Sequence, residues 1–444
     1  MVEKTELSDK DHRDLVKTCA SRGLTFLTTV FHEDRVPFLS DLGLEAIKIG
    51  SGEAMRKVLV CITVRPSLAR VQTVLDNLVG LCDLQVVMAA STLLERYGRV
   101  VETFAYPKNI IDHVYSTLEG ETTETSAIET GVLTMQLART FSRHKPDVVV
   151  TIADRHETLA TAIAASYQHI PLCHIQGGER TGSIDDKVRD AVSMLADVHC
   201  AATGTAATRL QDMGVRGDVF HTGCPSVDLA AKIVPDPADA NTIVVLQHSV
   251  TNEAEHAREQ IEATIQAIEA VTPKKVLWFW PGQDAGSGGV AKGLRLYHER
   301  IGNRQPVCFT RHVSADAFLS LLSGCAALVG NSSCGIRESA YLGTPVVNIG
   351  SRQQGRECGP NVVHVGHHAT DIAEAIQRQV AHGRYPSDAI YGDGHSGARI
   401  ARILLGSAEP VTGPDLVCDP VQEQQQGTPA QKHPADWYEW QDRH

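Results

Sequence analysis

The sequence contains no long hydrophobic run. None of its apolar stretches approaches the roughly 18 residues that a transmembrane helix needs, and the opening MVEKTELSDKDHRDLVK lacks the apolar core of a signal peptide. We therefore expect a cytoplasmic protein without a membrane partner. At 444 residues, 42% of them hydrophobic, the chain is long enough for two or three domains with sizeable cores.

The sequence also lacks an excess of basic residues. With 41 basic against 53 acidic side chains, its formal net charge is −12. Such a chain is a poor candidate for non-specific nucleic-acid binding, although a local basic pocket is compatible with this charge. Nucleic acid is therefore not among the expected partners.

Paired cysteines are absent as well. The eleven cysteines are scattered without a CxxC pair, which argues against a disulfide framework and against a zinc site. We expect buried thiols and no metal. Cys334 is the one cysteine inside a candidate binding motif, and a small buried filler is a commoner role for such a residue than a reactive thiol.

Short β-branched runs alternate with helical stretches from Lys57 onward, as in buried parallel strands joined by crossover helices. The runs predicted as strands are residues 58–64, 84–89, 147–153, 172–175, 199–203, 242–247, 276–280, 327–330 and 345–349. This pattern predicts an α/β protein with two Rossmann-like domains and a ligand cleft between them. No GxGxxG follows the first strand, which argues against a dinucleotide coenzyme.

The predicted domain boundaries follow from changes in composition. The strand pattern restarts after a proline-rich hinge, so we assign residues 55–235 to an N-terminal Rossmann-like domain and 236–406 to a C-terminal one. Residues 1–54 form a separate N-terminal segment. Beyond Gly406 the chain is rich in proline, glutamine and charge, and we predict that residues 407–444 are a disordered tail.

The most distinctive motif is the octapeptide NSSCGIRE at residues 331–338. An apolar run precedes it, so small residues stand where a strand gives way to a helix. Free backbone N–H groups, the Ser332 and Ser333 hydroxyls and a glycine suit a nucleotide diphosphate. Glu338 fits the hydroxyls of a ribose, because its charge repels phosphate. A serine N-cap on an ordinary helix is the alternative interpretation of this motif alone.

Several polar residues follow predicted strands at their carboxyl ends, where doubly wound sheets place their chemistry. Arg65 follows the first strand, Asp154 and Arg155 follow the third, and His248 follows the sixth. Position alone leaves their roles open. Asp154, like Asp185 further on, could simply cap the next helix, and a histidine at a strand end is often a structural hydrogen-bond donor.

Eight motifs occur in order between about residues 57 and 406. They are DRHETLATA from Asp154, HIQGGERTGSIDDKVRDA from His174, TGCPSVD from Thr222, LQHSVTNE from Leu246, PGQDAGS from Pro281, GNSSCGIRE from Gly330, GTPVVNIGSRQQGRE from Gly343 and IYGDG from Ile390. Together they resemble the hydrolysing UDP-N-acetylglucosamine 2-epimerases of sialic acid biosynthesis. The resemblance implies a two-domain GT-B fold with the active site in the cleft, no cofactor, and a homo-oligomer, either dimer or tetramer. The last motif looks like the start of a closing helix that packs back across the cleft.

The resemblance implies conversion of UDP-N-acetylglucosamine and water to N-acetylmannosamine and UDP. Loss of UDP from carbon 1 and of the proton from carbon 2 gives a glycal, which takes up water while a proton returns to carbon 2 from the other face. At least two protonatable groups must flank the ring. The catalytic candidates are Asp154, Glu179, Asp185 and His248. The UDP-binding candidates are Arg65, Arg155, Asp284, Ser287, Ser332, Ser333, Glu338 and Arg356, with Glu338 placed on the ribose.

The chain departs from this family pattern at several positions. Gln176 stands where the HIEGGE motif often has a catalytic glutamate, and an amide cannot shuttle protons at neutral pH, so Glu179 and Asp186 become candidates. Pro66-Ser67 and Gly282 also differ from the commonest residues, which bears on substrate recognition. The alternative hypotheses are a non-hydrolysing or UDP-diacetamido-sugar epimerase, and a nucleotide-sugar-binding pseudoenzyme.

The N-terminal segment shows a second resemblance. RGLTFLTTVFHEDRVPFLSDLGLEAIKIGSGE, residues 22–53, is similar to part of the N-acetylneuraminate synthases, which act on a TIM barrel. The segment covers only about two strand–helix units, and a barrel needs eight. We therefore expect no catalytic role for Lys48, Ser51 or Glu53, and interpret the segment as a relic of a fusion or as a misjoined gene with its true start at Met55.

Overall fold

The structure is a computed structural model. It describes residues 8–26, 28, 36–44, 55–95, 104–118, 122–182, 184–234, 239–282, 284–302, 307–311 and 313–406. Lys48, Ser51, Glu53 and the tail beyond Gly406 lie outside these ranges, so what the sequence predicts for them stays a prediction. Two short helices, α1 (Asp9–Ser21) and α2 (Val36–Asp41), precede the first strand. Every helix within the described ranges is too short or too polar to pass through a lipid bilayer.

The first domain is built on a parallel sheet of seven strands. They are β1 (Lys57–Ile62), β2 (Asp83–Ala89), β3 (Ile111–Val114), β4 (Val148–Ile152), β5 (Leu172–Ile175), β6 (Val198–Ala201) and β7 (Asp218–His221). Their order in the sheet is β3-β2-β1-β4-β5-β6-β7. The strand order reverses between β1 and β4, and the loops that leave these two strands diverge, which opens a crevice at this point.

Helices cover both faces of this sheet. They are α3 (Arg65–Leu78), α4 (Thr123–His144), α5 (His156–Tyr167), α6 (Ile184–Leu195), α7 (Gly204–Asp212) and α8 (Pro225–Ala230). Successive side chains of β1 point to opposite faces. Val58 and Val60 are buried with the apolar residues of α3, whereas Leu59 is buried with those of α4 and α5. Such strands, apolar on both faces, are typical of parallel sheets.

The second domain repeats this arrangement with six parallel strands. They are β8 (Thr242–Leu246), β9 (Lys275–Phe279), β10 (Val307–Thr310), β11 (Ala327–Gly330), β12 (Val346–Ile349) and β13 (Val362–Val365), in the order β10-β9-β8-β11-β12-β13. Its helices are α9 (Ala257–Val271), α10 (Ser287–Ile301), α11 (Ala315–Gly324), α12 (Glu338–Leu342) and α13 (Ala369–His382). The predicted α/β fold with two Rossmann-like domains is confirmed. The sequence-predicted strands omit β3, β7, β10 and β13, which are the four edge strands.

The last described helix, α14 (Ser396–Leu405), returns to the first domain. Its Ile400 and Leu404 are buried in the core formed by β1 and α3. Gly397 permits a close approach to α3, because a Cβ at this position would lie 2.3 Å from the hydroxyl of Thr73. Helix α14 therefore completes the core of the first domain, although it follows the second domain in the sequence.

Asp228 in α8 fixes the start of α14. Its carboxylate accepts the N–H groups of Ser396 at 2.9 Å and Gly397 at 2.7 Å, and the hydroxyl of Thr73 at 2.9 Å. Burial raises the pKa of Asp228, and these hydrogen bonds oppose that rise. One side chain thus satisfies two of the free N–H groups that every helix start presents.

We expect Asp228→Ala to destabilise the protein by about 2 to 4 kcal/mol, because it leaves two buried N–H groups and one hydroxyl without an acceptor. The midpoint of thermal unfolding measures this loss. Asp212→Ala, on the exposed end of α7, is the control and should change the midpoint little. Equal midpoints for the two variants would contradict the capping role of Asp228.

Candidate active site

The carboxyl ends of the central strands of both sheets face one cleft. Arg65 begins α3 directly after β1, Asp154 follows β4, and His248 follows β8. Contacts between the domains join these loops: Arg65 Nη1 donates to the carbonyl of Arg311 at 3.4 Å, and Arg155 Nη1 donates to Asp284 Oδ1 at 2.7 Å. The fold therefore brings together strand-end residues that are far apart in the sequence.

Arg155 and Asp284 form the centre of a charged bridge across the cleft. On the side of the first domain, Glu157 Oε2 lies 3.1 Å from Arg155 Nε. On the other side, Asp284 Oδ2 lies 3.5 Å from Arg352 Nη2. Burial works against ionisation, yet the two arginines lower the pKa of Asp284 to about 2. Ser287, the buried first residue of α10, donates its N–H to the carbonyl of Asp284 at 3.0 Å.

Beside this bridge lies a group of buried ions, which we call the arginine cluster: Asp154, Glu179, Arg189, Arg337 and Arg356. The exposed fraction of the arginine side chains is 1% for Arg189, 1% for Arg337 and 5% for Arg356. Arg337 Nη2 donates to Glu179 Oε2 at 2.6 Å, and Arg356 Nε lies 3.0 Å from the same oxygen. Asp154 pairs with Arg189 and lies 3.5 Å from Arg356. Three of these four pairs join the two domains.

The arginine cluster fixes the charge of both its carboxylates. Although burial opposes ionisation, Arg189 and Arg356 hold the pKa of Asp154 well below its usual range. In the same way, Arg337 and Arg356 lower the pKa of Glu179 against the effect of burial. Both groups are therefore permanent anions at neutral pH.

Asp185, in the first turn of α6, behaves in the opposite way. Burial and the negative charge of Asp154 raise the pKa of Asp185 to about 6. Two neighbouring carboxyl groups thus have pKa values on opposite sides of their usual range. Such a separation is the pattern expected where one group carries charge and the other exchanges a proton.

A side chain of the second domain holds His248 just beyond the carboxyl end of β8. The amide of Asn331 accepts the N–H of His248 at 2.7 Å and donates to its carbonyl at 2.9 Å. The Gly282 N–H donates to His248 Nδ1 at 3.3 Å, which leaves the ring proton on Nε2. Burial and the charge of Arg352 lower the pKa of His248 to about 4, so the ring is neutral at pH 7.

The serine motif turns sharply at the end of β11. Gly330 has φ 139°, and a Cβ there would lie 2.0 Å from the carbonyl oxygen of Leu246, so only glycine fits this approach. Residues 333–335 form a short 3₁₀ turn, and Glu338 is the first residue of α12. Ser333 Oγ accepts a hydrogen bond of 2.8 Å from Arg70 in the first domain.

The remaining residues of this motif have different surroundings. Ser332 Oγ accepts from the Cys334 N–H at 3.5 Å. Cys334 is a buried core residue, and burial raises its pKa to about 12, as suits a filler rather than a reactive thiol. Glu338 Oε2 is buried without a hydrogen-bond partner. A buried carboxylate oxygen of this kind is suited to a donor supplied by a ligand.

The sequence also raised Gln176 and Asp186 as positions of interest. Both side chains make hydrogen bonds within the first domain. Gln176 is fully buried with φ 67°, and its side-chain amide donates to Cys224 Sγ at 2.9 Å. Asp186 accepts the N–H groups of Thr181 at 2.7 Å and Gly182 at 2.8 Å, so it holds the loop before α6. Among the described residues, no group of three or more acidic, histidine or cysteine side chains is placed to hold a metal ion.

The sequence analysis did not single out five residues that the structure places in or beside this cleft. They are Arg70, Arg189, Asn331, Arg337 and Arg352. Four of them lie inside the quoted motifs, and the need to neutralise the acidic candidates was a signal that could have found the arginines. Arg70 lies on α3 outside every motif, so the sequence offered no comparable signal for it.

Two doubly wound parallel sheets that face one cleft define a two-domain GT-B fold. The solved structure of Methanocaldococcus jannaschii UDP-GlcNAc 2-epimerase in complex with UDP-GlcNAc and UDP has a TM-score of 0.64 at 18% identity, and covers 78% of this chain and 99% of that chain. The Neisseria meningitidis UDP-GlcNAc 2-epimerase bound to UDP-GlcNAc gives a TM-score of 0.64, also at 18% identity, over 79% of this chain and 100% of that chain. These likenesses confirm the predicted fold.

Residues 53–405 match the family described as UDP-N-acetylglucosamine 2-epimerase, and the chain belongs to this family. Residues 1–94 match the NeuB family, so both resemblances seen in the sequence are confirmed. A Neisseria meningitidis UDP-N-acetylglucosamine 2-epimerase is 26% identical over 75% of this chain and 88% of that protein. A Legionella pneumophila UDP-N,N'-diacetylbacillosamine 2-epimerase (hydrolyzing) is 31% identical over 60% of this chain and 72% of that protein.

We expect Glu179→Gln to destabilise the fold by about 3 to 5 kcal/mol, because Arg337 and Arg356 would remain buried without this carboxylate. The midpoint of urea unfolding measures the change. Asp190→Asn is the control, since Asp190 pairs with Arg209 at 2.6 Å but is 33% exposed, and its loss should cost less than about 1 kcal/mol. A Glu179→Gln variant as stable as the control would show that Glu179 is not needed to neutralise the arginines and would favour proton transfer as its role.

Proposed function

We propose that this chain is a hydrolysing UDP-N-acetylglucosamine 2-epimerase, which converts UDP-N-acetylglucosamine and water to N-acetylmannosamine and UDP. The observation that carries this proposal is the contrast between Asp154, held ionised, and Asp185, whose pKa is raised to about 6. A group that titrates near the working pH can accept the proton of carbon 2, and a second protonatable group on the other face supplies the proton that replaces it.

Asp185 is the proposed base for carbon 2. It accepts the proton from carbon 2 while the bond between carbon 1 and UDP breaks, and a double bond forms between the two carbons. Water then adds to this glycal, with the hydroxyl bonded to carbon 1 and a proton bonded to carbon 2 on the opposite face. The permanent negative charge of Asp154 keeps the pKa of Asp185 high enough for this exchange.

His248 is the proposed second protonatable group. Its pKa is about 4 without ligand because burial and the positive charge of Arg352 both disfavour its charged form. A bound diphosphate adds negative charge beside the same arginine, and this moves the pKa of His248 back towards neutrality. The histidine can then supply a proton when substrate is present, and it remains neutral when the cleft is empty.

The UDP-binding role is proposed for the cationic and serine side chains of the cleft. Arg155 and Arg352 are paired with Asp284 in the ligand-free structure, and the diphosphate takes over these guanidinium groups when it binds. Ser333, in the second domain, accepts a hydrogen bond from Arg70 of the first domain, and both side chains are proposed to contact the diphosphate. The remaining candidates from the sequence, Arg65, Ser287, Ser332 and Arg356, keep their proposed role in holding UDP. Asp284 has the role of keeping the arginines paired while the cleft is empty.

Glu338 is proposed to bind the ribose. Among the described residues its buried Oε2 has no hydrogen-bond partner, and the hydroxyls of a ribose are donors that satisfy it. Glu179 is proposed to position Arg337 and Arg356 rather than to transfer protons, because its pKa is lowered by both arginines. These assignments divide the candidate residues into proton-transfer, nucleotide-binding and charge-balancing groups.

In deuterated water, we expect N-acetylmannosamine that carries deuterium on carbon 2, because that hydrogen is replaced by one from a solvent-exchangeable group. NMR of the products after incubation with UDP-N-acetylglucosamine checks this result. Free sugar without deuterium contradicts the elimination, and UDP-N-acetylmannosamine as the final product identifies a non-hydrolysing epimerase. Tight UDP binding without any turnover identifies a pseudoenzyme.

We expect kcat/KM to rise with pH through about 6, since Asp185 must be ionised to act as the base. Asp185→Asn should lower kcat about 100-fold or more while UDP affinity, measured by calorimetry, stays roughly unchanged. Asp154→Asn removes a negative charge beside Asp185, so its residual activity should rise at a lower pH than in the parent enzyme. An acidic limb that does not move in Asp154→Asn would contradict the proposed coupling of the two carboxyl groups.

A second candidate substrate is UDP-N,N'-diacetylbacillosamine. It is favoured by the 31% identity to the Legionella pneumophila protein named as the hydrolysing 2-epimerase of this sugar. The same elimination and rehydration applies to both sugars, because the reacting atoms are carbons 1 and 2. The ratio of kcat/KM for the two UDP-sugars decides between them, and a ratio above about 100 in favour of the diacetamido sugar would overturn the first assignment.

A further inference from the structure

His156 lies behind Arg155, between two buried carboxylates. Its Nε2 is 3.0 Å from Glu129 Oε2, and its Nδ1 is 3.3 Å from Glu157 Oε2. The exposed fraction is 21% for the histidine side chain, 8% for Glu129 and 4% for Glu157. Both ring nitrogens therefore face carboxylate oxygens.

The carboxylate of Glu157 connects this histidine to the cleft. The same oxygen, Oε2, lies 3.3 Å from His156 Nδ1 and 3.1 Å from Arg155 Nε. Arg155 in turn reaches Asp284 with its Nη1 at 2.7 Å. The guanidinium group is thus held from its Nε edge, and its Nη1 atom is directed across the cleft.

Glu129, His156, Glu157 and Arg155 thus form a row of contacts, and the end of this row at Glu129 is also fixed. Glu129, on α4, accepts the N–H of Leu118 with Oε1 at 2.6 Å, and it contacts His156 with Oε2. Each carboxylate therefore has two partners: Glu129 contacts Leu118 and His156 with different oxygens, whereas Oε2 of Glu157 contacts both His156 and Arg155. The row runs from the loop after β3 to the edge of the second domain.

We propose that His156, held by Glu129, is a positioning residue that orients Arg155 for the diphosphate of the nucleotide sugar. This proposal rests on the proposed function, in which Arg155 leaves Asp284 for the diphosphate. Without the imidazole, the carboxylate of Glu157 loses its contact at 3.3 Å with His156 Nδ1 and keeps its contacts with Arg155 Nε, so Arg155 is oriented less tightly. The consequence falls on nucleotide binding, because His156 acts through Glu157 and Arg155.

A double-mutant cycle measured as the Kd for UDP by calorimetry tests this proposal. His156→Phe, which keeps a ring but removes both ring nitrogens, should weaken UDP binding about fivefold to tenfold, with kcat changed less than about threefold. In an Arg155→Met background, the same His156→Phe change should have no further effect on the Kd, since the arginine it orients is gone. Equal weakening in both backgrounds overturns the proposal, and so does unchanged UDP binding in His156→Phe.

His144→Phe is the matched control. His144 is the last residue of α4, is 22% exposed, and its Nε2 is 3.1 Å from Asp112 Oδ2, so it matches His156 in exposure and in a carboxylate contact through Nε2. It should leave the Kd for UDP unchanged, and a matching loss would overturn a specific role for His156.

Glu129→Gln is a milder variant if His156→Phe does not fold, since it keeps the shape of the side chain and removes only its charge. It should weaken UDP binding about twofold to threefold, again only when Arg155 is present, and additivity with Arg155→Met overturns the proposal. A parent enzyme that binds UDP and releases free sugar while either cycle is additive contradicts the positioning role alone. A parent enzyme that neither binds UDP nor turns over a UDP-sugar contradicts the proposed function as well.

Discussion

Arg189, Arg337 and Arg356 lie almost wholly buried between the two sheets, and each of these charges must be neutralised within a few ångströms. The carboxylates that do so, Asp154 and Glu179, belong to the first domain, whereas Arg337 and Arg356 belong to the second. Neutralisation inside the protein therefore requires the domains to approach each other. The relative position of the two sheets and the charge of the cleft follow from the same set of ion pairs.

These ion pairs also explain why two neighbouring carboxyl groups have pKa values shifted in opposite directions. A carboxyl group surrounded by guanidinium groups is held ionised, and its charge then makes ionisation of the next carboxyl group harder. Asp154 and Asp185 illustrate both effects, because the charge that the arginines maintain on the first raises the pKa of the second. The protonation chemistry of the proposed reaction thus depends on charged residues other than the one proposed to accept the proton.

Interior strands could be predicted from the sequence because a strand buried on both faces is a continuous apolar run. The strands that the analysis missed are the two edges of each sheet. Residues 362–365, VVHV, and residues 218–221, DVFH, illustrate the reason: an edge strand is partly exposed, so polar residues interrupt its apolar pattern. Periodicity alone cannot separate such a segment from a loop.

The candidate site could be predicted in part for a related reason. Residues at the carboxyl ends of central strands, such as Asp154 and His248, are marked by their place directly after an apolar run. Arg70 lacks that signal, and although His156 shares the strand end with Asp154, its pairing was not apparent. The contacts of these two residues are with Ser333 and Glu129, which are 263 and 27 positions away in the chain. Pairing at such distances follows from the fold and cannot be derived from local spacing.

The return of α14 to the first domain has a mechanical consequence. The chain passes between the domains after α8 and again after α13, and the two passages come together where a Cβ on Gly394 would lie 2.9 Å from the Cβ of Ala231. Two bodies joined by one connection can swing and twist in any direction. Two adjacent connections favour rotation about the line through both. An opening of the cleft about this line would separate the arginine cluster and bring its members back in the same register.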